Sequence, residues 1–255
     1  MTSSHGTEPV IGDDWVFYTF TPGEGARAII RVDGRLAREE VHQGYPHCRR
    51  LVVYIDDPHV LPNGLPVVEE LSSLRELDHA LAALLSESGV RCQLAGVMLY
   101  GGMRDLVFQV EDVEAFERQV AAFIERQHPP QYRFEVLSSE GWDFFDRKVR
   151  PTAEHWQQIS DQAVIQQLIQ AGTDPEADHL LDHTFLGPDH ALAGLRDQLG
   201  ADGFTVSDAA PGRLTMSRPS PLDLEQIWGL TRRLATFCPR IGVRYDGWGA
   251  QVVPR

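Results

Sequence analysis

The sequence has few of the residues that build covalent or metal-dependent sites. It contains three cysteines, Cys48, Cys92 and Cys238, which are odd in number and too far apart along the chain for a disulfide framework or a metal cluster. We find no phosphate-binding loop, dinucleotide fingerprint, nucleophile elbow or zinc ribbon. We therefore expect no catalytic residue, no cofactor and no metal.

Basic charge is also scarce. The chain has 23 Lys and Arg residues against 37 Asp and Glu residues, its formal net charge is −14, and Lys148 is its single lysine. Both halves of the chain are acidic, and an acidic surface repels phosphate backbones. We therefore expect no direct contact with nucleic acid, and attraction between this protein and a cationic partner.

Long apolar runs are missing. No run approaches the roughly 20 residues that a membrane span needs, and the start has no cationic segment followed by an apolar one. We therefore expect a cytoplasmic chain without membrane contact. What is present, over 255 residues, is 42% hydrophobic content with eleven Phe and five Trp, which is enough for two domains with real cores.

The first half of the chain predicts an opening hairpin and then a strand–helix–strand–strand–helix–strand unit. The first long helix is predicted by leucines at helical spacing, which are Leu71, Leu74, Leu77, Leu81, Leu84 and Leu85. Asp112 precedes the second helix as its N-cap. The aromatic-rich segment 138–149 is expected to pack back onto this domain, which we place at 13–150.

The second half repeats that element order. Residues 151–173 predict a Gln-rich helix, which we interpret as a linker. Residues 174–255 predict the same βαββαβ order, with the last helix starting at Ser220-Pro221 and a closing strand over 242–245. We therefore predict an α+β protein of two ferredoxin-like α/β sandwich units (βαββαβ) with antiparallel sheets, joined by a helical linker.

An internal echo supports this interpretation. The five residues DHALA occur at 78–82 and again at 189–193, and Gly141-Trp142 is matched by Gly247-Trp248 at nearly the same offset. We interpret the two halves as related units. The alternative is that any two folds of this type would align equally well.

Two histidine-containing segments could carry chemistry. His179 and His183 are four residues apart, which on a helix would place both on one face for a metal; the residues that follow favour a strand, and we interpret both as surface histidines. His47-Cys48 lies beside two arginines that could lower the thiol pKa and activate a nucleophile. The alternative is a part-buried cysteine at the start of a strand.

Paired carboxylates suggest either acid–base chemistry or ordinary solvated charge. They are Asp13-Asp14, Glu39-Glu40, Asp56-Asp57 and Glu69-Glu70.

A ferredoxin-like sheet can also bind RNA by stacking bases on aromatic side chains of a central strand. The candidate strand at 213–217 has no aromatic residue, which argues against RNA recognition.

The chain closes on two large aromatic residues. Tyr245 and Trp248 flank Asp246-Gly247, and exposed Tyr and Trp often anchor protein interfaces. We therefore expect Tyr245, Asp246 and Trp248 to contact a partner. The alternative is that Tyr245 packs at the end of the sheet while Gly247 permits a turn.

Four stretches of the C-terminal half resemble the regulator of ribonuclease E activity B family over about 179–253. They are HTFL at 183–186, DGFTV at 202–206, the helix 222–237 and YDGWG at 245–249. The resemblance implies a ferredoxin-like fold and an acidic protein that binds and inhibits the endoribonuclease without chemistry. In the first half, the marks are Asp14-Trp15, the helix start Gly64-Leu65-Pro66, Leu106-Val107-Phe108 and Trp142 to Phe145. Through these, residues 13–150 resemble a bacterial domain of uncharacterised function that is often fused ahead of this family.

The resulting hypothesis is a non-catalytic, protein-binding regulator that inhibits or modulates an endoribonuclease in RNA degradation. We expect it to dock on a basic segment of that enzyme and to be a monomer or weak dimer. Two alternatives remain. One is a hydrolase with a site in the N-terminal domain, built from His47, Cys48 or the acidic pairs, and the other is an immunity-type inhibitor of a toxin.

Overall fold

The computed structural model describes residues 14–39, 44–127 and 132–254, and the chain divides into two compact units between Pro151 and Thr152. Within these described residues, no helix combines the length and the apolar character that crossing a membrane would require. Each unit contains its own sheet.

The first unit is a six-stranded antiparallel sheet with two long helices. Its elements are β1 (Trp15–Phe20), β2 (Ala28–Asp33), α1 (Gly34–Arg38), β3 (His47–Ile55), α2 (Val68–Glu87), β4 (Cys92–Tyr100), β5 (Met103–Val110), α3 (Val113–Gln127) and β6 (Tyr132–Glu140). The strand order is β1-β2-β4-β5-β3-β6. The β3–α2–β4–β5–α3–β6 part has the ferredoxin-like order, and the β1–β2 hairpin widens the sheet beside β4.

The main core of this unit lies between the sheet and its two helices. The leucine spacing of α2 correctly predicts its buried face, since Leu74, Leu77, Leu81 and Leu85 are all buried. They pack with Phe116 and other residues of α3 and with the apolar residues of β3 and β5. Burying a side chain of this size contributes about 1.5–3 kcal/mol, so this layer is the main source of the unit's stability.

The segment after β6 folds back onto the sheet, as its aromatic content predicts. A π-helical turn at Phe145–Val149 packs against β2 and β4, and its first and last residues are fully buried. The hydroxyl of Tyr18 donates a hydrogen bond to the carbonyl oxygen of Val149 (2.9 Å). The approach is so close that a Cβ on Gly96 would lie 2.4 Å from Cγ1 of Val149.

The second unit is a four-stranded antiparallel sheet with three helices. Its elements are α4 (Ala153–Gln170), β7 (His179–Leu186), α5 (Asp189–Ala201), β8 (Thr205–Ala210), β9 (Arg213–Ser220), α6 (Leu224–Phe237) and β10 (Arg244–Ala250). The strand order β10-β7-β9-β8 corresponds to the order β6-β3-β5-β4 of the first unit. The prediction of an α+β chain with two ferredoxin-like units and antiparallel sheets is therefore confirmed.

Helix α4, interpreted from sequence as a linker, is the first helix of the second compact unit. Thr152 begins it with a capping box, in which the threonine hydroxyl accepts from the N–H of His155 (3.3 Å). The helix then packs along α6. The domain limits 13–150, 151–173 and 174–255 stay a prediction.

The predicted start of the last helix at Ser220-Pro221 is wrong. Ser220 is still part of β9, and Asp223 is the N-cap, whose carboxylate accepts from the N–H of Gln226 (2.8 Å). An aspartate is as good an N-cap as a serine, so local preference alone could not choose between them. The closing strand is also longer than predicted and includes the whole YDGWG run.

Candidate functional site

The C-terminal signature lies on β10, at one edge of the second sheet. Tyr245 is paired with Phe185 of β7, and Trp248 is paired with His183, with a register shift between the two aromatic residues. The irregularity accommodates one extra residue on β10, so both rings can face the helices. Asp246 is exposed and forms an ion pair with Arg244 (2.8 Å).

The Tyr245 ring is partly buried and packs against the core. Its hydroxyl is hydrogen-bonded to Nδ1 of His183 (2.9 Å), and its ring centroid lies 5.5 Å from that of Phe185. Burial raises the pKa of Tyr245 and lowers the pKa of His183 to about 4. Both groups are therefore neutral at pH 7, and this pair holds β10 against β7.

Trp248 belongs to a second buried polar contact. Its indole Nε1–H donates to Oδ1 of Asp161 on α4 (2.9 Å), and the Thr231 hydroxyl of α6 donates to Oδ2 (2.6 Å). Gln157 adds a third donor at 2.9 Å. Asp161 is fully buried, and its pKa is raised by burial, an effect that the three hydrogen bonds oppose.

These contacts give the signature an architectural role. Asp161 joins α4, α6 and β10 in one hydrogen-bond network. The polar groups of Tyr245 and Trp248 are already hydrogen-bonded to partners within the second unit. Their expected role as partner contacts stays a prediction, with Asp246 as the exposed member of the three. Sequence reasoning missed Asp161, because nothing local links it to a tryptophan 87 residues away.

The opposite edge of this sheet, β8, is the most accessible strand of the unit. All six residues of Thr205–Ala210 are exposed, and Val206 retains 48% of its accessible surface. Asp208 adds negative charge and lies 3.9 Å from Arg213. An edge strand presents backbone donors and acceptors on its outer side, which is the geometry that an added extended segment requires.

The N-terminal candidates do not assemble into a reactive site. Cys48 is fully buried on β3, and burial raises its pKa to about 11, so little thiolate exists at pH 7. His47 is exposed. Asp13 and Glu40 lie outside the described residues. Of the other paired acids, Glu70 is buried, accepts from the Tyr132 hydroxyl, and contacts a histidine ring.

The interpretation of His179 and His183 as surface histidines is wrong. Both lie on β7, as the neighbouring residues favour, but the strand directs both inward and they are buried. Nε2 of His179 is 2.8 Å from the carbonyl oxygen of Asp174. In the described part of the chain, no three His, Cys, Asp or Glu side chains are grouped as a metal site would need.

Comparison with known proteins matches the two units to two different families. Residues 13–147 match a family of unknown function (DUF695), and residues 158–250 match the family described as regulator of ribonuclease activity B. A regulator of ribonuclease activity B from Xenorhabdus nematophila is 28% identical over an alignment of 97 residues, and the alignment covers 34% of this chain and 69% of the relative.

A solved structure of a candidate glycine cleavage system transcriptional repressor aligns with 82% of this chain and 98% of its own. Its sequence identity is 10% and its TM-score is 0.20, so it supports no statement about this protein. The family matches, in contrast, cover nearly all of each compact unit and confirm the resemblances seen in the sequence. The chain therefore belongs to the DUF695 family through its N-terminal unit and carries a regulator of ribonuclease activity B domain as its C-terminal unit.

Proposed function

We propose that this protein regulates an endoribonuclease by binding to it, and that the C-terminal unit makes the contact without catalysing a reaction. The observation that carries the proposal is the match of residues 158–250 to a family of ribonuclease regulators. The relative from Xenorhabdus nematophila is named as such a regulator. The partner is a protein, and RNA degradation is the process that it controls.

The charge of the chain supports a cationic docking segment on the enzyme. With a net charge of −14, the protein attracts a basic segment at long range, and this attraction weakens as salt shortens the Debye length from about 10 Å at 0.1 M to about 3 Å at 1 M. We place the contact along β8. Its free edge suits an extended segment, and Val206 and Asp208 supply apolar and acidic contacts to it.

The test measures inhibition and binding together. Purified full-length protein is titrated into the cognate endoribonuclease, RNA cleavage is followed with a fluorogenic substrate, and affinity is measured by biolayer interferometry at low and high salt. The native chain should slow cleavage and should bind more weakly as salt rises. Val206→Arg with Asp208→Arg should weaken binding at least about tenfold, because like charges then face the basic segment.

Two matched variants separate the possible surfaces. Glu176→Arg makes the same kind of charge reversal at an exposed turn away from β8 and should leave binding unchanged. Asp246→Arg tests the predicted contact at the C-terminal signature. If Asp246→Arg weakens binding while the β8 variant does not, the contact lies on the β10 edge; if native protein neither binds nor inhibits at low salt, the proposed function is wrong.

A further inference from the structure

The first unit contains an unassigned cavity at the place where the β1–β2 hairpin widens the sheet. Its volume is about 240 Å³, and residues of β1, β2, β4 and α2 line it. On the strand side lie Trp15, Arg31 and Val97, and on the helix side lie His79 and Ala82. A ferredoxin-like sheet of four strands is covered by two helices, so two added strands leave this space beside α2.

The charged side chains around the cavity are not all paired with one another. The carboxylate of Asp33 is bound to the Arg35 guanidinium (2.9 Å), and the carboxylate of Asp78 accepts from Nε of Arg104 (3.0 Å). Arg31 is different, because no hydrogen bond or ion pair to it occurs anywhere within 14–39, 44–127 and 132–254. An arginine is cationic at every physiological pH, so the cavity contains a guanidinium that is attracted by the Asp78 carboxylate but whose hydrogen-bond donors no described residue uses.

The position of Arg31 determines where an anion would bind in the cavity and how it would be oriented. The guanidinium carbon lies 5.7 Å from the centroid of the Trp15 ring, which holds the side chain along the cavity wall. The side chain is partly desolvated, and its charge is disfavoured by the Arg104 and Arg75 cations and favoured by the Asp78 carboxylate. A partly desolvated guanidinium without a partner gains most from a planar anion that accepts two parallel hydrogen bonds.

Part of the wall is apolar, and it lies beside the polar side chains of Asp33, Arg35, Asp78, His79 and Gln93. Ala82, Leu94 and Val97 contribute aliphatic surface to it, together with the indole of Trp15. The volume corresponds to about eight water molecules at about 30 Å³ each, which fits one small ring and a short acidic arm. Pockets that combine apolar surface with a small number of convergent polar groups are typical of small-molecule sites.

We propose that this cavity binds a small monocarboxylate with an aromatic or branched apolar body, whose carboxylate pairs with Arg31 and whose body packs on Ala82, Leu94 and Val97. The site belongs to the unit of unknown function and does not depend on the proposed contact with an endoribonuclease. Its ligand has the chemistry of a small, free carboxylic acid with an apolar body.

The test uses the full chain and four probes: phenylacetate, indole-3-acetate, benzyl alcohol as the uncharged counterpart, and inorganic phosphate. Isothermal titration calorimetry and ligand-observed NMR should show saturable binding of at least one carboxylate and no saturable binding of benzyl alcohol or phosphate. Arg31→Gln should weaken carboxylate binding about tenfold to hundredfold, because a charge-assisted hydrogen bond is lost. The matched control Arg27→Gln, at an exposed arginine preceding β2, should bind as the native chain does.

A second variant keeps the proposal testable if Arg31→Gln perturbs folding. Ala82→Phe fills the cavity from the helix and leaves Arg31 in place, so it should abolish binding while circular dichroism stays native. The proposal is overturned if neither carboxylate binds the native chain at millimolar concentration, or if Arg31→Gln binds as tightly as native protein. Equal binding of phosphate or of benzyl alcohol would overturn it as well.

Discussion

Trp248→Phe tests whether the C-terminal signature supports the fold or contacts a partner. The substitution keeps an aromatic ring but removes the indole N–H that donates to the buried Asp161 carboxylate. A hydrogen bond to a charged group contributes about 1.5–3 kcal/mol. The smaller ring loses about 1 kcal/mol of apolar contact at ~25 cal/mol per Å². We therefore expect the second unit to lose about 2.5–4 kcal/mol of stability.

Amide hydrogen exchange followed by mass spectrometry is the appropriate assay. A chain with two compact units need not unfold in one transition, whereas exchange reports the local opening of peptides from β7 and β10. A loss of about 2 kcal/mol corresponds to about 30-fold faster exchange. Trp228→Phe is the matched control, because in the described residues Nε1 of Trp228 has no hydrogen-bond partner. Its exchange should change by less than about tenfold.

Two outcomes would refute this reasoning. Equal acceleration in the Trp248→Phe and Trp228→Phe variants would mean that the bond to Asp161 contributes nothing measurable. Native exchange rates in Trp248→Phe, combined with clearly weaker binding to the endoribonuclease, would mean that Trp248 acts as a partner contact. In that case the sequence-based expectation for Trp248 would be correct and the architectural role wrong.

Three further predictions concern stability and reactivity. The pKa of His183 is about 4 in the folded state, below the ordinary value for histidine, so on acidification the unfolded chain takes up the proton before the folded chain does. Lowering the pH from 7 to 4 should therefore reduce the stability of the second unit by about 3 kcal/mol in denaturant titrations. His183→Gln should make this loss of stability smaller. Gly96→Ala should destabilise the first unit by about 1–3 kcal/mol through overpacking, and adding Val149→Ala should restore part of the loss in thermal unfolding. Native protein and the Cys48→Ala variant should both hydrolyse a test ester no faster than buffer alone does, because the buried thiol forms little thiolate. The native Cys48 thiol should react with a disulfide reagent only after unfolding. An esterase activity of the native protein that is lost in Cys48→Ala would support the hydrolase alternative.

Most individual helices and strands could be predicted from local pattern. The leucines of α2 recur at helical spacing and are the residues that the core buries, and Asp112 accepts from the N–H of Ala115 (3.0 Å) at the start of α3. These features depend on residues within one or two turns of each other. Where two local signals were equally good, as with Ser220 and Asp223, the choice was wrong.

The candidate site was less accessible to such reasoning. Tyr245 and Trp248 were recognised as distinctive, but their direction depends on the bulge between them and on hydrogen-bond partners supplied by α4 and β7. Arg31 had no distinguishing signal at all. Its importance follows from the pairing of the other charges around it, which only the folded chain shows.

The sequence by itself determined the acidic character, the two βαββαβ units and the family of each, because composition, periodicity and short motifs are local properties of a chain. Tertiary structure decided which polar groups remain available. Burial removes Cys48, His183 and Asp161 from surface chemistry, strand order leaves β8 as a free edge, and the added hairpin creates the cavity at Arg31. The physical reason is that desolvation and hydrogen-bond satisfaction depend on neighbours far apart in sequence, which no local pattern specifies.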